Sequence, residues 1–130
     1  MKTEMTTTIL KFLPDVKAIY LFGSYAHGQA LPDSDIDLAV INDEPMDENH
    51  FFEMTLLIAT ALNRDIDLID IKRTPLDMKF EIISTGVLIY DKNPQQTLEY
   101  ETLIMSMYQR FNEERSGILE EIVRSGKILS

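Results

Sequence analysis

The sequence predicts an α/β or α+β sheet domain, and three observations carry that expectation. Short apolar runs rich in strand formers, "KAIYLF" at 17–22, "IDLAVI" at 36–41 and "DIDLIDI" at 65–71, are interleaved with segments whose apolar residues recur at helical spacing. Turn and cap residues punctuate the boundaries between them. No repeat, low-complexity tract or linker divides the 130 residues, a length that suits one core and one domain. Strands alternating with helices in this way argue against a helical bundle.

Taken in order, 7–13 reads as a short helix stopped by Pro14, which has no N–H to continue the ladder. The run 17–22 is a buried strand, and 36–41 is a second one, closed by the turn residues "NDEP". Over 48–62, Phe51, Phe52, Leu56, Ile58, Ala59 and Leu62 fall close to helical spacing. The alternation over 65–71 gives a third strand. Thr74-Pro75 then reads as an N-cap followed by Pro at the first helical position, with Asp77 near the positive helix end and Gly86 as the stop. "VLIYD" is a last short strand.

Asn93-Pro94 repeats the cap-and-Pro signal and opens the longest helix, to about Val123. Leu103, Ile104, Met107, Tyr108 and Phe111 form an apolar stripe on it, which Ile118, Leu119, Ile122 and Val123 resume. Gly117, between the two, weakens the helix by about 1 kcal/mol relative to Ala. The stripe either packs on the domain's own sheet or docks its outer half on another chain. The expected organisation is a body over 1–93 and a helical extension of the same domain over 94–130.

A hydrophobic content of 45% argues against disorder. No apolar run is long enough for a membrane helix, and the N-terminus lacks a signal-peptide pattern. The absence of cysteine removes disulfides and thiolate metal sites and fits a cytoplasmic location. A net charge of −10 disfavours surface binding of nucleic acid, which needs clustered Lys and Arg. It suits either simple solubility or a basic partner. It leaves open a small anionic substrate bridged by metal ions, because Mg²⁺ inverts the local electrostatics.

The chemistry concentrates in "YLFGSYAHGQALPDSDIDL". Alternate residues of a strand point the same way, so Asp35 and Asp37 share one face while Ile36, Leu38 and Val40 share the apolar one. Two adjacent carboxylates repel unless solvent or a cation compensates. Asp65 and Asp67 repeat the arrangement on the third strand, and one of them near the first pair would give three oxygen donors suited to Mg²⁺. Parity alone leaves Asp65 and Asp67 both open, and it sets Asp70 on the opposite face. Gly23 would let a phosphate approach the backbone closely. Ser24 offers a hydroxyl, and the N–H groups after it would open an anion-binding turn.

Gly23-Ser24, the ten residues from Tyr25 to Ser34, and Asp35-Ile36-Asp37 resemble the Gly-Ser-x10-Asp-x-Asp signature of the polymerase-β-type nucleotidyltransferase superfamily. Over about 17–90 the chain looks most like the minimal nucleotidyltransferase (MNT) domains. The resemblance implies a polymerase-β-like fold, a small mixed sheet flanked by helices. It implies a triphosphate held at Gly23 and Ser24 and two Mg²⁺ ions on the paired aspartates. A third carboxylate on a later strand is best matched by Asp67, as a metal ligand or as the acceptor of a proton. Many relatives read Gly-Ser-Arg-x-Arg-Gly, whereas this chain has Tyr25 and His27 at those places. The missing grip on phosphate is then weaker, or comes from Lys72, Arg73 or a partner.

Stand-alone MNT proteins are often paired with HEPN-domain ribonucleases in toxin–antitoxin modules. The resemblance thus implies an antitoxin that transfers AMP from ATP to a hydroxyl, a Tyr being expected, of a HEPN toxin, with no membrane or direct nucleic-acid binding. Two alternatives stand beside it. One is a non-catalytic antitoxin that neutralises by binding, against which the intact Asp35, Asp37 and Asp67 count. The other is a nucleotidyltransferase for a small molecule of aminoglycoside type.

Overall fold

The computed structural model describes residues 1–31 and 34–125. A four-stranded sheet of order β3-β2-β1-β4 forms the middle layer, from β1 (Ala18–Phe22), β2 (Ile36–Ile41), β3 (Ile66–Asp70) and β4 (Val87–Asp91). β1 pairs antiparallel with both β2 and β4, whereas β2 and β3 run parallel. The parallel pair needs a crossover, and the helix Glu48–Leu62 (α2) supplies it.

Both faces of the sheet are covered. The helix Lys2–Phe12 (α1) and α2 pack on one face, where Met5, Ile9 and Ile58 meet Ile19, Leu21, Ile36, Leu38, Val40 and Leu68. The helices Leu76–Thr85 (α3) and Pro94–Ser125 (α4) cover the other, where Ile82, Ile83 and Ile104 meet Ala18, Tyr20, Ala39 and Ile41. Fully apolar strands such as β1 follow from burial on both sides. The expected α/β sheet domain with a small mixed sheet and a long last helix is the architecture observed. Among the described residues no helix is long and apolar enough to cross a membrane.

Local chemistry fixes most boundaries. The Asp47 side chain caps α2 by accepting from His50 N at 3.0 Å, and Asn63 ends that helix in the left-handed conformation. Asn93 Oδ1 accepts from Gln96 N at 3.2 Å and caps α4, as the sequence predicts. Two starts differ from expectation. The first helix begins at Lys2 rather than residue 7, because burial of Met5 and Ile9 one turn apart outweighs the weak helix propensity of the threonine run. Pro75, not Thr74, is the N-cap of α3, and the Thr74 hydroxyl instead donates back to Asp70 O at 3.0 Å. The third strand also stops at Asp70, and Ile71–Arg73 turns into a 3₁₀ segment.

The apolar stripe of α4 is only partly buried by the domain's own layers. Ile104 is buried against the sheet and Tyr108 stacks on Phe80 of α3, with ring centroids 4.0 Å apart. Leu103, Met107 and Phe111 are exposed, contrary to a stripe that packs as a whole. Farther out, Ile118, Leu119 and Val123 are 61%, 54% and 66% exposed, because the helix outruns the sheet that its inner half covers. Tyr20 of β1 ties the inner half down by donating to Glu101 Oε2 at 2.8 Å. Burial and that neighbouring carboxylate push the Tyr20 hydroxyl far above its usual range, so it stays protonated and able to donate. The tail 126–130 of the expected extension lies outside the described residues.

Candidate active site

The parallel register decides which carboxylates meet. Ile36 pairs with Ile66 and Asp37 with Asp67, so the two aspartates stand side by side at the starts of β2 and β3. On the other flank Asp37 pairs with Phe22, the last residue of β1. The end of β1 and the beginnings of β2 and β3 therefore form one edge of the sheet, and the Gly23–Tyr25 turn follows directly at that edge. Asp37 shares its face with Ala39 and Ile41, which α3 and α4 cover farther along, so it lies at the open end of a buried layer.

Asp65 sits just before β3, where its carbonyl accepts from Ile36 N at 3.0 Å. The register thus puts Asp67 next to Asp37, where parity alone left Asp65 and Asp67 both open. Asp35 and Asp67 are exposed and Asp37 is half-buried. Burial, then the Asp67 and Asp35 charges, raises the Asp37 carboxyl above its ordinary value. Both neighbours are thus close enough to act on it.

Gly23 explains how the turn comes so close. Its backbone is left-handed at φ +69°, and a Cβ placed there would lie 2.2 Å from Asp37 Oδ2. The missing side chain is therefore occupied by the Asp37 carboxylate, a tighter requirement than room for a phosphate. The turn itself is a short 3₁₀ segment, with Ala26 N donating to Gly23 O and His27 N to Ser24 O, rather than the start of a long helix. Ser24 and Tyr25 are half-buried and His27 is exposed. Pro32 and Asp33 of the quoted stretch lie outside the described residues.

Among the described residues no three His, Cys, Asp or Glu side chains form a closed ligand cluster. Asp35, Asp37 and Asp67 are neighbours that repel, a donor set of hard oxygens. That set fits Mg²⁺, which takes one or two carboxylates and fills the rest of its shell with water and substrate phosphate. It does not fit an ion held by protein ligands alone.

Asp70 has the opposite surroundings. It is 5% exposed, and accepts from Met46 N at 3.0 Å and Lys72 N at 3.2 Å, with Arg73 Nε 3.9 Å away. These partners already satisfy it, at the end of β3 away from Asp67. Lys72 and Arg73 belong to that same far end: Lys72 Nζ donates to Asp43 O and Arg73 Nε to Met46 O. The extended strand from Asp67 to Asp70, about 10 Å, and then the 3₁₀ turn separate them from Asp67, so both stand at the other end of β3. Among the described residues Arg64 stands at the carboxylate edge, its guanidinium donating to Tyr25 Oη and to Ser34 O. Sequence reasoning passed over it. Its only signal was a cation between a helix end and the Asp65-Ile66-Asp67 run.

The profile of the family described as "Polymerase beta, Nucleotidyltransferase" matches residues 4–95. The protein adenylyltransferase MntA of Shewanella oneidensis is 30% identical over 111 residues, which span 85% of this chain and 79% of that protein. Among solved structures, a chain of a toxin–antitoxin crystal structure with AMP-PNP matches with a TM-score of 0.81 at 27% identity, over 94% of this chain and 98% of that one. A chain from the complex of tri-AMPylated Shewanella oneidensis HEPN toxin with MNT antitoxin matches with a TM-score of 0.73 at 28% identity, over 95% and 99%.

Proposed function

We infer the activity from one premise, that the chain belongs to the polymerase beta nucleotidyltransferase family, in its minimal, antitoxin-type branch. It is a protein adenylyltransferase that moves AMP from ATP to a hydroxyl of a HEPN-family ribonuclease toxin, with tyrosine as the acceptor. The observation that carries this reading is the pairing of Asp37 with Asp67, beside Asp35 and directly over Gly23. A triphosphate site needs such an edge: oxygen donors for cations on one side and a backbone turn without a side chain on the other.

Each residue has a role in that reaction. Asp35, Asp37 and Asp67 would hold Mg²⁺, two ions by the family resemblance, which when bound neutralise triphosphate charge and make the acceptor hydroxyl more acidic. Gly23 keeps the turn against Asp37, and Ser24 offers its hydroxyl to the triphosphate. The acceptor oxygen forms a bond to the α-phosphorus as the bond from that phosphorus to the departing pyrophosphate breaks. Asp67, exposed beside Asp37, would help hold the second ion or take the hydroxyl proton. In-line placement and charge neutralisation supply most of the acceleration.

The partner reading has its own support. A net charge of −10 suits a basic, RNA-cleaving protein. The exposed Ile118, Leu119 and Val123 on the outer half of α4 give the 94–130 extension an apolar surface for it. A cytoplasmic setting goes with an ATP donor and a ribonuclease partner.

The test combines purified protein, Mg²⁺, α-labelled ATP and the cognate HEPN protein, with an Asp35→Ala, Asp37→Ala double variant alongside. Transfer of label to the HEPN protein by the wild type alone is the expected result. No transfer, with the double variant still silencing the toxin, would make the protein a binding antitoxin. Label on an aminoglycoside offered in a parallel reaction, with none on the HEPN protein, would make it a small-molecule enzyme.

A further inference from the structure

The ten residues from Tyr25 to Ser34 join the two halves of the candidate site, the Gly-Ser turn and the Asp-Ile-Asp strand. A loop of that length has many conformations, and only one of them sets Ser24 and Asp35 on the same substrate. The loop itself contains no Lys or Arg that could touch phosphate. We propose that Arg64 is the positioning residue that clasps this loop at both ends and so sets the grip on the triphosphate, an inference that rests on the adenylyltransferase reading above.

The geometry is specific. Asn63 ends α2 with φ 52° and ψ 41°, and that left-handed turn aims the next residue back toward the loop. The Arg64 backbone is held there, its N–H donating to Ala59 O at 3.2 Å. From this fixed base the guanidinium reaches Tyr25 Oη, next to Ser24, and Ser34 O at 3.3 Å, next to Asp35. Its central carbon lies 5.2 Å from the centre of the Tyr25 ring, so it stacks as well as donates. One planar group therefore touches the first and the last residue of the loop.

The clasp is continuous with the carboxylates. Asp65, adjacent to Arg64, accepts from Ile36 N at 3.0 Å, between Asp35 and Asp37. Two positions farther, Asp67 pairs with Asp37. The chain from Arg64 to Asp67 thus spans both ends of the loop and the strand that carries the aspartates. Arginine suits the task better than lysine, because a planar nitrogen of its guanidinium presents N–H groups at fixed angles to both acceptors within cation–π range of the Tyr25 ring. Tyr25 then has a purpose that a phosphate-binding arginine at its place would not have, as the partner through which a cation on another element holds the turn.

The experiment compares wild type with Arg64→Gln, Arg64→Lys, Tyr25→Phe and the Arg64→Gln, Tyr25→Phe double variant. Three quantities are read: the Kd for a non-hydrolysable ATP analogue with Mg²⁺, the KM and kcat of AMP transfer, and the rate of elastase nicking after Ala26 and Ala30. Losing a charge-assisted clasp should raise Kd and ATP KM about tenfold in Arg64→Gln. The kcat should fall far less, and nicking should accelerate. Arg64→Lys should recover part of the affinity, and the double variant should be no worse than Arg64→Gln, since both changes remove one interaction.

Unchanged KM and nicking in Arg64→Gln would overturn the proposal. So would a drop in Tm and in active fraction with KM unchanged, the signature of a merely structural residue. A wild type that neither binds the analogue nor transfers AMP would sink the functional reading instead, and the nicking rates would still judge the clasp.

Discussion

Asp67 and Asp70 stand near opposite ends of β3 and live in opposite surroundings. Asp70 is buried, yet two backbone N–H groups and Arg73 answer its charge. Asp67 is exposed, but it faces Asp37 across the parallel pair, with Asp35 close by, and raises rather than relieves its neighbour's carboxyl. The difference separates a carboxylate that holds the fold together from one held in readiness. The far end of the sheet completes its own charge balance. The near end sets like charges together beside a glycine that the Asp37 side chain itself requires, and the proposed cation and triphosphate would balance them.

The largest effect that tests this contrast is on catalysis. The Asp35→Ala, Asp37→Ala variant should lose at least roughly 100-fold in AMP transfer while keeping its circular dichroism and losing no thermal stability. Gly23→Ala is next: the new Cβ must displace the Asp37 carboxylate, and a shift of that size should lower turnover by about 100-fold. It should also reduce stability by about 1–2 kcal/mol through the left-handed backbone, which chemical denaturation would read.

The far end should respond in the other currency. Asp70→Ala leaves the Met46 and Lys72 N–H groups without their acceptor and should destabilise the fold by about 2–3 kcal/mol in urea, with kcat of the folded fraction unchanged. Tyr20→Phe, which unties β1 from Glu101 of α4, should remove about 1 kcal/mol by the same measurement.

The smallest effect is on pH dependence. A carboxyl raised in the folded state opposes folding when ionised, so its contribution improves as pH falls through the raised value toward the ordinary carboxylate range. Metal-free Asp37→Asn should therefore melt a few degrees above wild type at neutral pH. That gap should close on acidification, and a constant gap from pH 7 to pH 4 would count against mutual repulsion as its source.

Much of this was legible in the residues. Strand parity grouped Asp35 with Asp37 and set Asp70 apart, and cap chemistry placed Asn93 at the head of the last helix. What parity could not give was register: only the parallel pairing of β2 with β3 puts Asp67 opposite Asp37. Arg64 escaped for a similar reason, since its contacts to Tyr25 and Ser34 join positions 39 and 30 residues apart. The early start of α1 and the exposed Leu103, Met107 and Phe111 depend on which apolar residues find a neighbour, a property of the packed layers rather than of local spacing.

The most direct test of the central claim is thermal melting with Mg²⁺ and a non-hydrolysable ATP analogue, wild type against Asp37→Asn. If the near-end carboxylates await a cation and a triphosphate, the pair of ligands will raise the wild-type Tm, each ligand alone will raise it less, and the variant will lose the rise despite its higher starting point. An equal rise in both proteins would place nucleotide binding elsewhere and contradict the account.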